Sequence, residues 1–375
     1  MGRLSYYTRR LARRWAKEAA ERERPIVVAL DAMGGDVGPE ATLDGAMRIV
    51  AAQPNLKVLL VGKTEELNVQ LGHKFLPEEI EIVHAEEGFG MNESPTLALR
   101  RPNCSIMMGV DLVASGRADG FVSMGNTGAI VATSLVRLGR IEGVERPGLM
   151  TLFPTIEGRP TILMDIGANV DCKAEHLLQF GKIASLYAEK VLCRENPKVA
   201  LLSVGEEESK GNAVVKEAYK LFKKSGLNFV GNVEGGDILH GSVDVVVADG
   251  FVGNALVKFG EGSGTFFKNI AKRGRRKNIL SLASGLLVKG HFRRILKEFD
   301  YAEFGGAPLL GVKGNILIGH GKSSPEAIAN AVALAFTMSF TRIDKLIAEN
   351  IKRIGGECEN EDIRDRVEST CKDSN

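Results

Sequence analysis

The sequence predicts an α/β fold in which a mainly parallel sheet is covered by helices. From Pro25 onward, short runs rich in β-branched residues alternate with longer amphipathic segments, the order expected of a sheet wound with helices. Most of the short runs are continuously apolar, which is typical of strands buried on both faces. The composition agrees with this, because 44% hydrophobic and 26% charged residues over 375 positions are ordinary for a globular chain.

Nine strands are predicted from the apolar runs. They are expected at residues 25–31, 57–62, 80–84, 119–123, 161–166, 198–204, 227–231, 243–248 and 316–319. Apolar side chains at intervals of three and four residues predict long helices over 173–192, 209–224 and 324–348. Strands that alternate with helices in this way favour parallel neighbours.

The chain is expected to form one α/β domain with less regular ends. The domain spans residues 25–350, between a basic N-terminal extension over 1–24 and a polar C-terminal tail over 351–375. From about 262 to 303, two consecutive helical stretches interrupt the alternation of strands and helices. This interruption predicts an inserted helical hairpin.

The net charge of +2 results from strongly basic segments and an acidic remainder that nearly cancel. Residues 268–297 contain ten Lys and Arg and no Asp or Glu, so the rest of the chain has a balance of −8. The N-terminal extension adds a smaller basic excess, with eight Lys and Arg against three Glu. We interpret this segment as a solvated or surface-binding helical extension. Because its opening is free of acidic residues, an organellar transit peptide is the alternative. Both basic segments predict contacts with anionic partners.

Two features predict a protein of the cytoplasm. No apolar run reaches the roughly 18 residues needed to span a bilayer, so the chain is expected to be soluble or peripheral. Its five cysteines are odd in number, scattered and never in a C-x-x-C pair. This usage indicates a reducing compartment and argues against a zinc site.

Six glycine-rich loops adjoin the predicted strands and are expected to form one ligand-binding rim. They lie at residues 31–36, 123–128, 165–171, 203–212, 248–254 and 304–311. Open α/β sheets bind ligands at the carboxyl ends of their strands, and the N–H groups of a strand-to-helix turn bind anions. A phosphate is expected above all at Gly125–Gly128, although for any single loop tight-turn formation is an equal explanation.

Several sequence motifs of well-known binding and catalytic sites are absent or incomplete. GHGKSS at 319–324 resembles the end of a P-loop, but Ile316 stands where the first glycine is needed. The sequence lacks a G-x-G-x-x-G motif after the first strand, an H-E-x-x-H motif and a G-x-S-x-G elbow. Cys172 and His176 offer a nucleophile and a base, but small buried cysteines are common for structural reasons. His320, between two glycines, is a better ligand contact, with a structural turn histidine as the alternative.

Lys210 and Asn254 are the residues that a structural explanation fits least well. Each lies in a polar loop after a strongly apolar strand, and together they supply a cation and an amide donor. The structural alternatives are an exposed lysine offset by the glutamates at 206–208 and a helix-capping asparagine.

Taken together and in this order, the motifs closely resemble those of the bacterial phosphate acyltransferase PlsX family, the acyl-[acyl-carrier-protein]:phosphate acyltransferases. The resemblance covers about residues 26–345, through VALDAMGGD, SMGNTGA, DIGANVD, GEEESKGN, GNVEG, DGFVGN, FGGAPLLG and GHGKSS. It implies a Rossmann-like three-layer sandwich of the isopropylmalate dehydrogenase and phosphotransacetylase type, a homodimer, and neither metal nor organic cofactor. It also implies transfer of a fatty acyl group from acyl carrier protein to orthophosphate. The acyl phosphate would then feed a membrane glycerol-3-phosphate acyltransferase.

The resemblance implies that Lys210 and Asn254 are the catalytic pair. Substrate-binding residues are expected in the glycine-rich loops, at Asp31, Gly34, Gly35, Asn126, Thr127, Gly128, Asn169, Asp249, Gly253, Gly305, Gly306 and His320. The aspartates among them are expected to orient loops rather than act as bases, because negative charge beside phosphate is unfavourable. The extension over 1–24 departs from the family, whose members usually start close to the first strand.

The chemistry explains why no nucleophilic triad is needed. Orthophosphate titrates at about 6 to 7, so much of it is already an anionic nucleophile near neutral pH. The leaving thiolate belongs to a thiol with a pKa of about 8.5 and departs without strong acid catalysis. The protein must therefore position the reactants and stabilise an oxyanion.

The hairpin has two interpretations. Its apolar residues, including Leu286 and Leu287, and its bases, including Arg275, Arg276 and Lys277, suit an amphipathic surface that enters an anionic membrane interface. Alternatively, the apolar stripe is a dimer contact and the bases meet the acidic carrier protein. We therefore expect a cytoplasmic protein that associates peripherally with the inner face of the membrane.

Two other functions compete with this one. A phosphotransacetylase-like enzyme would share the chemistry and use acyl-CoA as the donor. A non-catalytic nucleic-acid-binding protein would use the basic segments, but it leaves the glycine-rich loops unexplained and is ranked last.

Overall fold

A computed structural model describes residues 24–273 and 305–351 of the chain. These residues form eleven strands: β1 (Ile26–Asp31), β2 (Leu56–Gly62), β3 (Ile80–His84), β4 (Gly120–Ser123), β5 (Gly148–Phe153), β6 (Thr161–Met164), β7 (Val199–Leu202), β8 (Phe229–Val233), β9 (Val245–Val247), β10 (Ala307–Leu310) and β11 (Asn315–Ile318). All nine predicted strands are present, with ends shifted by at most two residues. The mixed α/β fold is thereby confirmed.

Helices connect most of the strands. They are α1 (Gly38–Val50), α2 (Thr64–Leu71), α3 (Ser105–Ala114), α4 (Thr127–Arg137), α5 (Ala174–Lys190), α6 (Ala213–Lys223), α7 (Gly235–His240), α8 (Gly250–Arg273) and α9 (Pro325–Thr341), with a 3₁₀ helix at Pro95–Arg100. The predicted helix over 324–348 is interrupted at Arg342, whose φ is 53°, and resumes over 343–351.

Two strands were not predicted, β5 and β10. Both run antiparallel to their neighbours in the sheet, so neither follows the alternation of parallel strand and helix. In β10, Pro308 sits opposite Leu317 of β11, and a proline argues against a central strand when only the sequence is read. The segment 304–311, interpreted as a ligand loop, therefore contains a strand of the sheet.

The sheet consists of two parallel halves that run in opposite directions. Its strand order is β3-β2-β1-β4-β11-β10-β5-β6-β9-β7-β8. The first half, from β3 to β11, is parallel, and so is the second half, from β6 to β8. The antiparallel strands β10 and β5 between them reverse the direction. The prediction that six loops share one rim is therefore wrong, because the carboxyl ends of the two halves lie at opposite edges.

Helices cover both faces of the sheet and form a three-layer structure. One core cluster joins the sheet to α1, α5, α6 and α9, and a second cluster joins the other face to α3, α4, α7 and α8. Strand residues alternate between the two clusters, as Val28 and Leu30 on one side and Ala29 on the other illustrate. The strands are apolar throughout because both of their faces are buried.

The helix α8 begins where β9 ends and continues to Arg273. Residues 262–273 thus extend a helix that starts at Gly250, rather than opening a separate insertion at about 262. The rest of the predicted hairpin lies outside the described residues, together with the N-terminal extension up to residue 23 and the tail from residue 352. The proposed contact residues Arg275, Arg276, Lys277, Leu286 and Leu287 lie there too. Of the helices in the described parts, none is long and apolar enough to cross a membrane.

Candidate active site

A cavity of about 550 Å³ lies on one face of the sheet, between α4 and α8. Both halves of the sheet contribute to its lining, and the short central strands β5 and β10 contribute Leu149 and Ala307. Because these central strands are only four to six residues long, loops that leave opposite edges approach each other at the middle of the sheet. We call this space the central cavity.

The two helices line the central cavity on opposite sides and run in opposite directions. Each follows a strand and returns across the sheet, and the two strands, β4 and β9, belong to halves of opposite direction. At the α4 end of the cavity, Thr127 and Gly128 lie with His320, whose Nε2 is 3.9 Å from Oε1 of Glu261. At the α8 end, Asn254 lies beside Gly167.

Asp31 holds together the loops behind the α4 end. Its carboxylate is fully buried and accepts the backbone N–H groups of Met33 at 3.0 Å and Gly34 at 3.1 Å. It also accepts the hydroxyl of Ser123 at 2.7 Å. Burial raises the pKa of this carboxyl above its ordinary value, and the hydrogen bonds act in the opposite direction.

The glycines of the same loop allow close backbone approach. A Cβ on Gly34 would lie 2.6 Å from Oδ2 of Asp31 and 2.9 Å from the nitrogen of Gly125. Gly35 has a φ of 90°, which favours glycine, and a Cβ there would lie 2.9 Å from the carbonyl oxygen of Gly321. Asp31, Gly34 and Gly35 therefore stand behind the cavity lining and organise it.

The α4 helix starts with a capping asparagine. Asn126 Oδ1 accepts the N–H of Ala129 at 3.0 Å, and its Nδ2 donates to the carbonyl oxygens of Met91 at 2.9 Å and Glu93 at 3.0 Å. The amide group is thus fully engaged within the protein. Thr127 and Gly128 line the cavity, where the positive end of the helix is suited to an anion.

Asp165 organises the α8 end through a larger set of hydrogen bonds. It is fully buried, and it accepts the backbone N–H groups of Leu149 at 2.8 Å, Ala168 at 3.2 Å and Asn169 at 2.7 Å. The side-chain amide of Asn169 donates to Asp165 Oδ2 at 3.0 Å and to the carbonyl oxygen of Pro147 at 2.8 Å. Burial raises the pKa of the Asp165 carboxyl. Asn169 is therefore a support for this loop.

The start of α8 packs directly on this loop. A Cβ on Gly253 would overlap the carbonyl oxygen of Asp165, and one on Gly250 would overlap that of Asn169. Asp249 Oδ1 accepts the N–H of Val252 at 2.8 Å and caps the helix. Gly253 and Asp249 thus place the first turn of the helix, and that turn carries Asn254 to the cavity.

Asn254 is available for a ligand. Its side chain is exposed and lines the cavity, and within residues 24–273 and 305–351 its amide forms no hydrogen bond. The structural alternative for Asn254, a role as helix cap, does not apply, because Asp249 caps this helix. An open amide donor of this kind is suited to an oxyanion.

Lys210 lies outside the lining of the central cavity. Its side chain is exposed, and its backbone N–H donates to the carbonyl oxygen of Glu207 at 3.0 Å. Its loop leaves β7, which pairs with β9 through Leu201 and Val247, so the loop stands beside the strand that leads into α8. One of the neighbouring glutamates, Glu208, pairs with Lys223 at 3.0 Å.

Sequence reasoning missed a cation in the central cavity. Lys258 lines it one helical turn beyond Asn254, and its Nζ lies 2.9 Å from Oε2 of Glu261. If α8 had been predicted to begin at Gly250, helical spacing would have placed Lys258 on the same face as Asn254, and Glu261 on the same face as Lys258. His320 lines the cavity as expected, and its Nδ1 accepts the N–H of Lys322, which leaves the proton on Nε2.

Gly305 and Gly306 directly precede β10. Their φ values are 86° and 123°, in the region that favours glycine. Gly306 lines the cavity, and a Cβ there would lie 2.7 Å from the carbonyl oxygen of Ile318. Of the predicted substrate-binding residues, those that line the cavity are Thr127, Gly128, Gly306 and His320.

Cys172 and His176 do not form a nucleophile and base. Burial raises the pKa of the Cys172 thiol to about 11, so the thiolate is disfavoured near neutral pH. The His176 ring accepts the N–H of Lys173 at Nδ1, and its Nε2 lies 3.1 Å from Glu145. In the described parts of the chain, no group of three or more His, Cys, Asp or Glu is arranged to hold a metal ion.

Comparison with known proteins identifies the family. The family described as "Fatty acid synthesis protein" matches residues 26–345. The phosphate acyltransferase of Dictyoglomus turgidum is 44% identical over 330 residues, which are 87% of this chain and 98% of that protein. That of Nitratidesulfovibrio vulgaris (strain DP4) is 45% identical over 340 residues, 90% of this chain and 96% of that protein. This chain belongs to the phosphate acyltransferase family.

The family assignment confirms the resemblance seen in the motifs and makes the chain an acyltransferase, against the non-catalytic alternative. Solved structures agree on the fold. A phosphotransacetylase from Streptococcus pyogenes superposes with a TM-score of 0.60 at 18% identity, covering 88% of this chain and 98% of that one. The EutD phosphotransacetylase from Staphylococcus aureus gives 0.55 at 16% identity, covering 88% and 99%. At such low identity these two establish the architecture alone.

Proposed function

We propose that the chain transfers a fatty acyl group from acyl-[acyl-carrier-protein] to orthophosphate in the central cavity, giving acyl phosphate and free carrier protein. The observation that carries this proposal is that one cavity holds both an anion-binding helix start, at Thr127 and Gly128, and an unbonded amide donor, at Asn254. The first group suits orthophosphate, and the second suits the thioester oxygen.

The reaction needs positioning and charge stabilisation more than proton transfer. A phosphate oxygen attacks the thioester carbon, the carbonyl oxygen becomes an oxyanion, and the C–S bond then breaks to release the carrier thiolate. Asn254 Nδ2 donates to that oxygen as its charge develops, and the positive start of α4, at the other end of the cavity, attracts the phosphate into it. Asp31 and Asp165 are engaged with backbone N–H groups and fix the loops.

Lys210 is assigned the neutralisation of the incoming phosphate or of the oxyanion. Its loop borders the strand that leads into α8, which supports this assignment. Lys258 is the alternative source of positive charge, because it lines the cavity itself, although Glu261 already partners it.

The first test replaces Asn254 with alanine and measures acyl phosphate trapped with hydroxylamine. Loss of one oxyanion donor lowers kcat by roughly 10²–10³, about 3–4 kcal/mol. Asn68→Ala is the matched control, because Asn68 is exposed on α2, away from the cavity. Near-normal turnover of folded Asn254→Ala would remove Asn254 from the mechanism.

The second test compares Lys210→Ala with Lys258→Ala at varied phosphate concentration. We expect Lys210→Ala to lower kcat/KM for phosphate by roughly 10²–10³ and Lys258→Ala by about tenfold or less, because a partner shares its charge. The reverse order would transfer the role to Lys258.

The acyl donor is tested with the unmodified protein. Acyl-[acyl-carrier-protein] and acyl-CoA are each supplied with orthophosphate, and faster product formation from the carrier protein is expected. Preference for acyl-CoA would make the chain a phosphotransacetylase-like enzyme. Absence of acyl phosphate with both donors would defeat the proposal.

We further propose that the chain works as a homodimer on the cytoplasmic face of the membrane, where it supplies a glycerol-3-phosphate acyltransferase. The ten bases within residues 268–297 support contact with an anionic lipid surface or with the acidic carrier protein. Liposome co-sedimentation of the Leu286→Glu/Leu287→Glu variant tests the membrane contact, and we expect binding to be lost. Undiminished binding would leave the carrier protein as the partner of these bases.

A further inference from the structure

A second cavity, of about 490 Å³, lies at the edge of the sheet where the strands of the first half begin. Asp119, directly before β4, and Asn315, the first residue of the parallel strand β11, both line it. From there β11 runs to Ile318 at the central cavity, about 10 Å away at 3.3 Å per residue. In the described parts of the chain, no residue lines both cavities. We call this second space the edge cavity.

The lining of the edge cavity is basic. Four bases and two acids contribute to it: Arg24, Lys313, Arg342, Lys345, Asp119 and Asp344. Arg24 is already engaged, because its Nη2 and Nη1 donate to Asp119 at 2.7 Å and 3.2 Å. Lys313 is exposed and, within residues 24–273 and 305–351, forms no ion pair. Its charge is therefore available to a ligand.

A sharp turn after α9 brings the other charged groups to the edge cavity. Arg342 has a φ of 53°, which is uncommon for a residue other than glycine, and a second helical segment follows over 343–351. The turn places Arg342, Asp344 and Lys345 together in the lining. Burial raises the pKa of the Asp344 carboxyl, while the backbone N–H and the charge of Lys345 and the charge of Arg342 lower it. One half-buried carboxylate thus faces two bases, which leaves an excess of positive charge.

Asn315 adds a hydrogen-bond acceptor that lacks a donor. Only 5% of the residue is exposed, and its Nδ2 donates to the carbonyl oxygen of Asp119 at 3.0 Å. Its Oδ1 is buried and receives no hydrogen bond from the residues that the structure describes. Buried side-chain oxygens in proteins nearly always have a donor. A ligand hydroxyl in the edge cavity would supply one.

We propose that the edge cavity binds a small phosphate monoester that carries hydroxyl groups. Lys313, Arg342 and Lys345 hold the phosphate, whose charge of about −1.5 to −2 near neutral pH matches the excess positive charge of the lining. The hydroxyl groups donate to Asn315 and Asp344. The volume is within the usual range for sites of small organic molecules. Because the edge cavity is separate from the central cavity, the proposal does not depend on the proposed acyl transfer.

Calorimetric titration of the full chain with glycerol 3-phosphate, a minimal compound of this class, tests the proposal. We expect Lys313→Gln/Lys345→Gln to raise the dissociation constant at least about tenfold, because each lysine supplies a charge-assisted hydrogen bond. Both side chains are exposed, so the variant should fold, and Lys313→Gln alone repeats the test if it does not. An unchanged dissociation constant in the folded variants, or absence of binding by the unmodified protein, would overturn the proposal.

Two control variants establish where the probe binds. Lys74→Gln/Lys216→Gln removes the same charge from exposed positions that line neither cavity, so its affinity should equal that of the unmodified protein. Lys258→Ala removes a base from the central cavity and should also leave the affinity unchanged. A loss in either control as large as that in Lys313→Gln/Lys345→Gln would place the binding elsewhere and overturn the proposal.

The hydroxyl contacts are tested with methyl phosphate, which keeps the phosphate ester and lacks the hydroxyl groups. We expect it to bind at least about tenfold more weakly than glycerol 3-phosphate, because it cannot donate to Asn315 and Asp344. Equal affinity for the two esters would overturn the assignment of a hydroxyl-bearing ligand.

Discussion

Asp31 and Asp165 end buried strands in the two opposite halves of the sheet, and each holds the loop that follows. The Asp31 loop packs within the first half, where Ser123 and Gly321 close it. The Asp165 loop supports a helix, because Gly253 rests on its carbonyl oxygen and Asn254 follows at the cavity. Similar aspartate loops therefore differ in function according to the element that packs on them.

The largest effect on activity is expected where the helix touches the Asp165 loop. Gly253→Ala would force α8 away from Asp165 and displace Asn254. A displacement of about 1 Å at a reacting group costs roughly 10²-fold in kcat/KM, and the overpacking costs about 1–3 kcal/mol of unfolding free energy. Acyl phosphate formation and urea unfolding measure the two quantities.

Gly264→Ala is the control in the same helix. Among the residues that the structure describes, a Cβ at Gly264 meets no atom within 4 Å, so the variant should be active and more stable by about 0.5–1 kcal/mol. If Gly253→Ala behaved like Gly264→Ala, the close contact with Asp165 would not be what positions Asn254.

The two carboxylates are distinguished directly by their contributions to stability, with no residue of the cavity lining replaced. Asp165→Asn places an amide group among several N–H donors and should cost about 4 kcal/mol of unfolding free energy. Asp31→Asn should cost about 2 kcal/mol, because the new amide can donate to the Ser123 hydroxyl that formerly donated to Asp31. Urea unfolding with a common m-value checks the order, and equal losses would mean that the two loops are held alike.

The smallest effect concerns pH. Burial raises the pKa of Asp31 above its ordinary value of 3.8, so the folded state binds this proton more tightly than the unfolded state does. The stability that this proton contributes is complete below pH 3.8 and is lost as pH rises through the folded pKa. The unfolding free energy of the unmodified protein relative to Asp31→Asn should therefore decrease upward from about pH 4, by at most about 1.4 kcal/mol per pH unit. An increase over that range would show that hydrogen bonding outweighs burial.

The sequence predicted the parallel strands well because burial on both faces leaves a continuous apolar run. It did not predict β5 and β10, since antiparallel strands at the centre of a parallel sheet break the alternation on which the prediction depends. The opposite direction of the two halves was missed for the same reason. Direction is decided by pairing between distant segments, and no local pattern records it.

The site was predicted in part. Asn254 was found because a polar residue directly after a buried strand stands out, and Lys258 was missed because its place depends on where α8 begins. Asn126 and Asn169 were expected to bind substrate, but their amides are engaged within the protein. Sequence identifies polar residues near a strand end, whereas only packing decides which of them face a ligand.

The interleaving of the two halves affects how the chain folds as it is synthesised. β11 completes the first half by pairing with β4, and Asn315 at its start donates to the carbonyl oxygen of Asp119, 196 positions earlier. Until the ribosome has made that distant strand, the edge of β4 is unpaired and His320 does not yet exist. The open edge is a site for incorrect pairing with another nascent chain, so chaperone binding during translation should concentrate on this interval.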